Sequence, residues 1–263
     1  MRFPHRHPFR VLGAIAVLIL VGGTVVALVG SRGSAAGAPT ALPGPRDPAF
    51  LVRDPAKLPG DPHLAMWASV DRAAVARQAP RLGAESVARV SELTPEGTGN
   101  IVQVLGRERR SGVLWLEVRL PAGAAELRGW LPRSVLGGYH FVRTRLVVDR
   151  DRLQATLRRD GRVIFRTVVG IGRPGARTPS GEFYVRDRLT RYASPQYGPI
   201  AFGTSARSDQ LTDWPAGGFV GIHGTDRPDL LPGAVSHGCI RMPNPAIRRL
   251  SRLMPIGTPL TIE

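Results

Sequence analysis

The stretch "IHGTDRPDLLPGAVSHGCIRM", Ile222 to Met242, gathers His223, His237 and Cys239, the last being the only cysteine in 263 residues. Cys239 follows His237 by two positions and His223 by sixteen. A thiolate attacks carbonyl carbon well, but a free thiol with a pKa of about 8.5 is mostly protonated at neutral pH and needs a neighbouring base. Histidine supplies that base near neutrality. Gly238, just before Cys239, lets the backbone approach a substrate and turn amide N–H groups toward an oxyanion. The pattern reads as nucleophilic catalysis.

Other readings use the same residues. His-x13-His-x-Cys offers three zinc-compatible side chains, with Asp226 or Asp229 for a fourth. Structural zinc normally takes four ligands, and its usual clusters carry paired cysteines. A buried inert thiol is the bland alternative, since free cysteine is often buried. Neither explains a glycine beside a lone thiol, so no metal and no cofactor is expected. "GIGRPG", Gly170 to Gly175, follows a strand as a dinucleotide fingerprint would. That fingerprint must also open a helix. Pro174 and "ARTPSGEF" make a loop instead, so these glycines read as tight turns.

The elements that must hold these residues read as mostly β with little helix. Gly (31) and Pro (24) together exceed a fifth of the chain, which suits short strands and many turns. "RLQATLR" (152–158) and "VIFRTVVG" (163–170) flank Asp160-Gly161, a strong hairpin signal. Asn244 and Pro245 fit an N-cap and first helical position, with Ile247, Leu250 and Leu253 on one helical face. "TPLTIE" reads as a closing strand. Earlier in the chain, "SVARV" (86–90), "NIVQVLG" (100–106) and "VLWLEVRL" (113–120) are further strands, the last placing Leu114, Leu116, Val118 and Leu120 on one face.

The N-terminus points to export. Residues 1–10 carry Arg2, Arg6 and Arg10 and no acid, and residues 11–29 are nineteen uncharged residues, about the length of one membrane-crossing helix. Basic residues on the N-terminal side put that end in the cytoplasm and the rest outside. "GSAAGAP" (33–39) leaves a cleaved signal peptide open, although cleavable apolar cores span only about 7–15 residues. A Pro-, Gly- and Ala-rich tether, 30–62, follows. The net charge of +16, almost all arginine because Lys57 is the only lysine, favours anionic partners. Export excludes chromosomal nucleic acid and points to anionic envelope polymers. One cysteine excludes an internal disulfide.

Two resemblances extend these readings. "WLEVRLP" with "LRGWLPRSVLGGY" resembles bacterial SH3-like domains, in which a W-x-x-V strand precedes a G-W-[VL]-P turn; this implies a small SH3-like β-barrel over 63–138. "HGTDRPDLLPGAVSHGCIRM" resembles the signature of the L,D-transpeptidases (YkuD-type catalytic domains), which cross-link peptidoglycan. His223-Gly224-Thr225, Ser236-His237-Gly238-Cys239 and Arg241 match that signature, and "VGIGRPGARTPSGEFYV" (169–185) is similar to the family's Thr-Pro-x-Gly-x-[Phe/Tyr] entry. The match implies a β-rich catalytic domain over 142–263. It also implies that Cys239 is acylated by a donor tetrapeptide stem, with loss of D-Ala, and that an acceptor stem amine then takes the acyl group.

By the same resemblance His223 is the general base, oriented by the Gly224 carbonyl. Ser236 and His237 shape the pocket, the Gly238 and Cys239 amides form an oxyanion hole, and Arg241 forks onto a substrate carboxylate. His237 lies closer in sequence, but a spacing of two on a strand gives a shared face without contact. Two other classes stay open: an exported cysteine peptidase or amidase whose acyl-enzyme goes to water, and a non-catalytic wall-binding protein. In each case the protein would lie at the cell membrane with its later domains on the wall side.

Overall fold

Residues 60–263, apart from 124, 193, 209 and 211–217, are described by the computed structural model and fall within one structural unit. The basic segment 1–10, the apolar run 11–29 and the tether as far as residue 59 lie outside the described residues. Among the described residues no helix is long and apolar enough to cross a membrane.

The first sheet has seven antiparallel strands: β1 (Ala65–Val70), β2 (Ala74–Arg77), β3 (Ser86–Val90), β4 (Ile101–Arg110), β5 (Val113–Leu120), β6 (Leu127–Pro132) and β7 (Leu136–Val142). Their order is β3-β2-β6-β5-β4-β1-β7, so β3 and β7 form the two edges. The last strand of this sheet runs past the expected limit of 138, to Val142. Tyr139 pairs with Ala68 and Val142 with Ala65, because β7 runs the length of β1. Alternating apolar residues of β1, β4 and β5 build its core, including Ala68, Val102, Leu116 and Val118.

β5 buries more than the expected single face. Trp115 and Arg119 are covered as well as Leu116, Val118 and Leu120. Arg119 lies at the junction with the second sheet, where its Nη1 donates to the Glu182 carbonyl at 2.9 Å.

The second sheet begins at β8 (Thr144–Asp149) and continues through β9 (Gln154–Arg159) and β10 (Arg162–Val168). Asp160 and Gly161 join β9 to β10 with φ of 51° and 77°, the positive pair that a two-residue hairpin turn requires. Next come β11 (Gly170–Gly172), β12 (Gly181–Leu189), β13 (Ala201–Arg207), β14 (Phe219–His223), β15 (Gly233–Ser236), β16 (Ile240–Arg241), the helix α1 (Asn244–Leu253) and β17 (Pro259–Ile262). The spatial order is β10-β9-β8-β17-β12-β13-β14-β16-β11-β15. β14 therefore sits inside the sheet, and all five of its residues are buried.

α1 starts one residue earlier than expected, with Pro243 in the cap position. Asn244 is already helical and makes no side-chain cap bond, while Ile247 and Leu250 turn into the sheet's core. The two sheets are also joined through backbone. The Ala122 amide donates to the Ser205 carbonyl at 3.0 Å and the Arg207 amide to the Ala122 carbonyl at 2.7 Å.

Candidate active site

β14 and β16 run parallel, with Ile222 opposite Ile240 and His223 opposite Arg241. Residues at equal or twofold spacing on paired strands share a face. Cys239, one residue before β16, and His223, the last of β14, are thus set on one face of neighbouring strands. The Gly221 amide donates to Cys239 Sγ at 3.3 Å. An N–H aimed at sulfur favours negative charge there. The thiol is 5% exposed and packs with Ala201 and Phe219.

His223 is 1% exposed. Its Nδ1 lies 2.6 Å from the Gly224 carbonyl oxygen. A carbonyl only accepts, so Nδ1 carries the hydrogen and Nε2 presents a lone pair. The ring of Tyr197 meets the imidazole edge-on, with centroids 4.8 Å apart and planes at 84°. Tyr197 is itself held by Tyr192, whose hydroxyl donates to the Tyr197 carbonyl at 3.3 Å and to the Gly198 carbonyl at 2.9 Å. Burial pushes the Tyr192 phenol up to about 12, so it remains a donor at neutral pH.

The turn that carries Cys239 is held from inside. Ser236 Oγ donates to the Cys239 carbonyl at 2.6 Å and accepts from the Gly238 amide at 3.1 Å. The Gly238 amide, expected to face an oxyanion, here closes the turn onto Ser236. Gly238 adopts φ 129°, a conformation open to glycine and strained for other residues. Its carbonyl accepts from Thr178 Oγ1 at 2.8 Å, and Thr178 Oγ1 accepts from the Gly172 amide at 2.9 Å. Thr178 lies in "TPSG", a stretch noted above without a role for that threonine.

Asn244 also does something the helix signal did not indicate. Its Oδ1 accepts the Thr225 amide at 2.9 Å, fixing the loop after His223. A Cβ at Gly224 would run into that same oxygen, so glycine is required by close approach. Arg241 is half-buried, opposite Gly170 and His223, and its Nε is buried with no hydrogen-bond partner among the described residues. His237 is half-buried beside the turn. Among the described residues no three His, Cys, Asp or Glu side chains gather as a metal site would need.

Comparison with known proteins places this arrangement. The model of the YkuD family, described as the L,D-transpeptidase catalytic domain, matches residues 143–262. The protein named as the L,D-transpeptidase YkuD in Bacillus subtilis is 32% identical over 148 residues, covering 56% of this chain and 80% of that one. Its namesake in Bacillus licheniformis is 31% identical over 120 residues, covering 46% of this chain and 59% of that one. Among solved structures, the catalytic domain of an Enterococcus faecium L,D-transpeptidase is 26% identical, covers 46% of this chain and 96% of that one, and has a TM-score of 0.36.

Proposed function

This chain belongs to the YkuD-type L,D-transpeptidase family, and on that premise we propose that it cross-links peptidoglycan stem peptides through an acyl-thioester on Cys239, in cell-wall biogenesis. The observation that carries this reading is the Cys239 sulfur, held by the Gly221 amide at 3.3 Å on the strand that ends in His223. His223 Nε2 takes the thiol proton. The sulfur attacks the carbonyl carbon of the amide between the third residue of a donor tetrapeptide stem, at its L-centre, and the terminal D-Ala. The C–N bond breaks, His223 returns the proton to the departing amine, and D-Ala leaves.

A neutral side-chain amine of an acceptor stem, typically of diaminopimelate, then attacks the thioester. Its proton passes to His223, and sulfur leaves as thiolate. The new amide joins two third residues. The Cys239 amide faces the oxyanion, Ser236 and Gly238 set the angle of the turn, and Gly224 orients His223. His237 shapes the pocket mouth, and Arg241 holds a substrate carboxylate through its guanidinium fork.

The first sheet, in this reading, is an SH3-like module that stands beside the catalytic sheet at the wall. Residues 11–29 anchor the chain in the cell membrane, with 63–263 on the wall side. The arginine-rich surface meets anionic envelope polymers.

Incubating the purified protein with tetrapeptide stems and a D-amino acid tests the function. Exchange of the terminal residue is the expected result. Release of D-Ala without exchange would make it a cysteine hydrolase, and absence of turnover a wall-binding protein.

A further inference from the structure

β12 carries a register shift between Val185 and Asp187 against β13. At this irregularity two consecutive side chains, Arg186 and Asp187, are both buried, at 2% and 4% exposure. Successive strand residues ordinarily point to opposite faces, so one of the two would be expected to reach water. Burial without a partner is costly for either charge.

Both are instead met by one loop of the first sheet, between β3 and β4. Arg186 Nη2 donates to the two carboxylate oxygens of Glu96 at 3.2 and 3.0 Å. Thr98 Oγ1 donates to Asp187 Oδ2 at 3.1 Å, and the Gly203 amide of β13 donates to Asp187 Oδ1 at 2.8 Å. Glu96 is as buried as Arg186, each side chain being 2% exposed.

The held guanidinium has a second contact. Its central carbon lies 3.9 Å from the centroid of the Phe219 ring, a cation–π stack between two buried side chains. Phe219 opens β14 and belongs with Cys239 and Ala201 to one small buried apolar cluster. The path from Glu96 to the sulfur is therefore an ion pair, a stack and a shared apolar cluster.

We propose that Glu96 is a positioning residue for the reaction at Cys239, acting through Arg186 and Phe219. It rests on the acyl-transfer reading above. Without the Glu96 carboxylate, the Arg186 guanidinium loses the acceptor of its Nη2 hydrogen bonds, leaves the Phe219 ring for water, and lets the wall behind the sulfur shift. The first sheet thereby forms part of the catalytic apparatus, beyond any grip on the wall. A purely structural fastening would lower stability alone.

The test uses the full chain with Glu96→Gln, Glu96→Asp, Phe219→Leu and the Glu96→Gln/Phe219→Leu pair, each assayed at a temperature where circular dichroism shows it folded. Two readouts are taken: kcat and KM for D-amino acid exchange, and the rate of Cys239 alkylation by iodoacetamide, which needs no wall substrate. Glu96→Gln is expected to lower kcat about tenfold with KM within about twofold. Glu96→Asp, which keeps a carboxylate to accept from Arg186, should recover much of the loss. The double variant should be no slower than Phe219→Leu, because residues acting in one chain give non-additive losses.

Losses that multiply in the double variant, or a folded Glu96→Gln or Phe219→Leu protein with wild-type rates by both readouts, overturn the proposal. Wild-type protein that alkylates but never exchanges overturns the acyl-transfer reading instead. The alkylation ratios then still decide the role of Glu96.

Discussion

The imidazole of His223 donates from Nδ1 to the carbonyl oxygen of the very next residue, Gly224, at 2.6 Å. The contact is local, yet it sets the tautomer and leaves Nε2 as the nitrogen able to take a proton. His223→Ala is therefore expected to slow acylation by about 10²–10⁴-fold and to remove the acidic limb of its pH profile. His237→Ala should lose less, part of it in substrate affinity. Single-turnover acylation by a chromogenic β-lactam across about pH 5 to 9 checks both. A dead His237→Ala enzyme beside a near-normal His223→Ala enzyme would exchange the two roles.

Cys239→Ser should abolish transfer and keep the fold. Oxygen replaces sulfur in a buried position with little change of volume, but a hydroxyl is far less acidic than a thiol, and a base suited to a thiol activates it poorly. Intact-mass analysis with a carbapenem should find an adduct on the wild-type protein only. Equal adduct on the serine variant would remove Cys239 from the role of nucleophile.

Ser236→Ala should harm both stability and rate. It strips a hydrogen bond from the Cys239 carbonyl and from the Gly238 amide, both inside the protein. Leaving buried polar groups unpaired costs about 1–3 kcal/mol each. A fall in melting temperature together with a slower acylation of the folded fraction is expected. An unchanged acylation rate would mean that the turn keeps its shape without the hydroxyl.

Alkaline pH should loosen the junction at Tyr184. Its hydroxyl donates to the Ile101 carbonyl of the first sheet at 3.1 Å, and burial pushes the phenol from 10.0 up to about 12. The folded state thus favours the neutral form. This contribution is complete below pH 10 and is lost as pH rises through about 12. Melting curves should fall over that window, and Tyr184→Phe should flatten the fall while losing about 1 kcal/mol for the missing hydrogen bond. Tyr192, raised to a similar value, would keep part of the slope. An equally steep fall in Tyr184→Phe would assign the whole effect elsewhere.

The N-terminal segment should hold the mature protein in the membrane fraction against high salt, since Arg2, Arg6 and Arg10 precede nineteen uncharged residues. N-terminal sequencing that begins near Gly37 or Pro39 would instead make the segment a cleaved signal peptide.

Local pattern in the sequence was enough for much of this protein. Asp160-Gly161 specified the β9–β10 turn because few residues tolerate two successive positive φ values. The β-rich runs at 86–90 and 113–120 marked β3 and β5 to the residue, and the helical face of Ile247 and Leu250 was legible from spacing alone. The family signature singled out His223 and Cys239.

Tertiary structure decided where polar side chains go. Asn244 reads as a helix cap but bonds to Thr225, nineteen residues earlier. Thr178 reaches Gly238 across sixty positions, and Glu96 reaches Arg186 across ninety. Arg119 is covered because Glu182 of the other sheet arrives above it. A short polar side chain satisfies whichever partner folding brings near, and no local periodicity encodes that partner. Apolar periodicity reports the face a residue presents, whereas hydrogen-bond partners are settled only when the two sheets and the turns between them have packed.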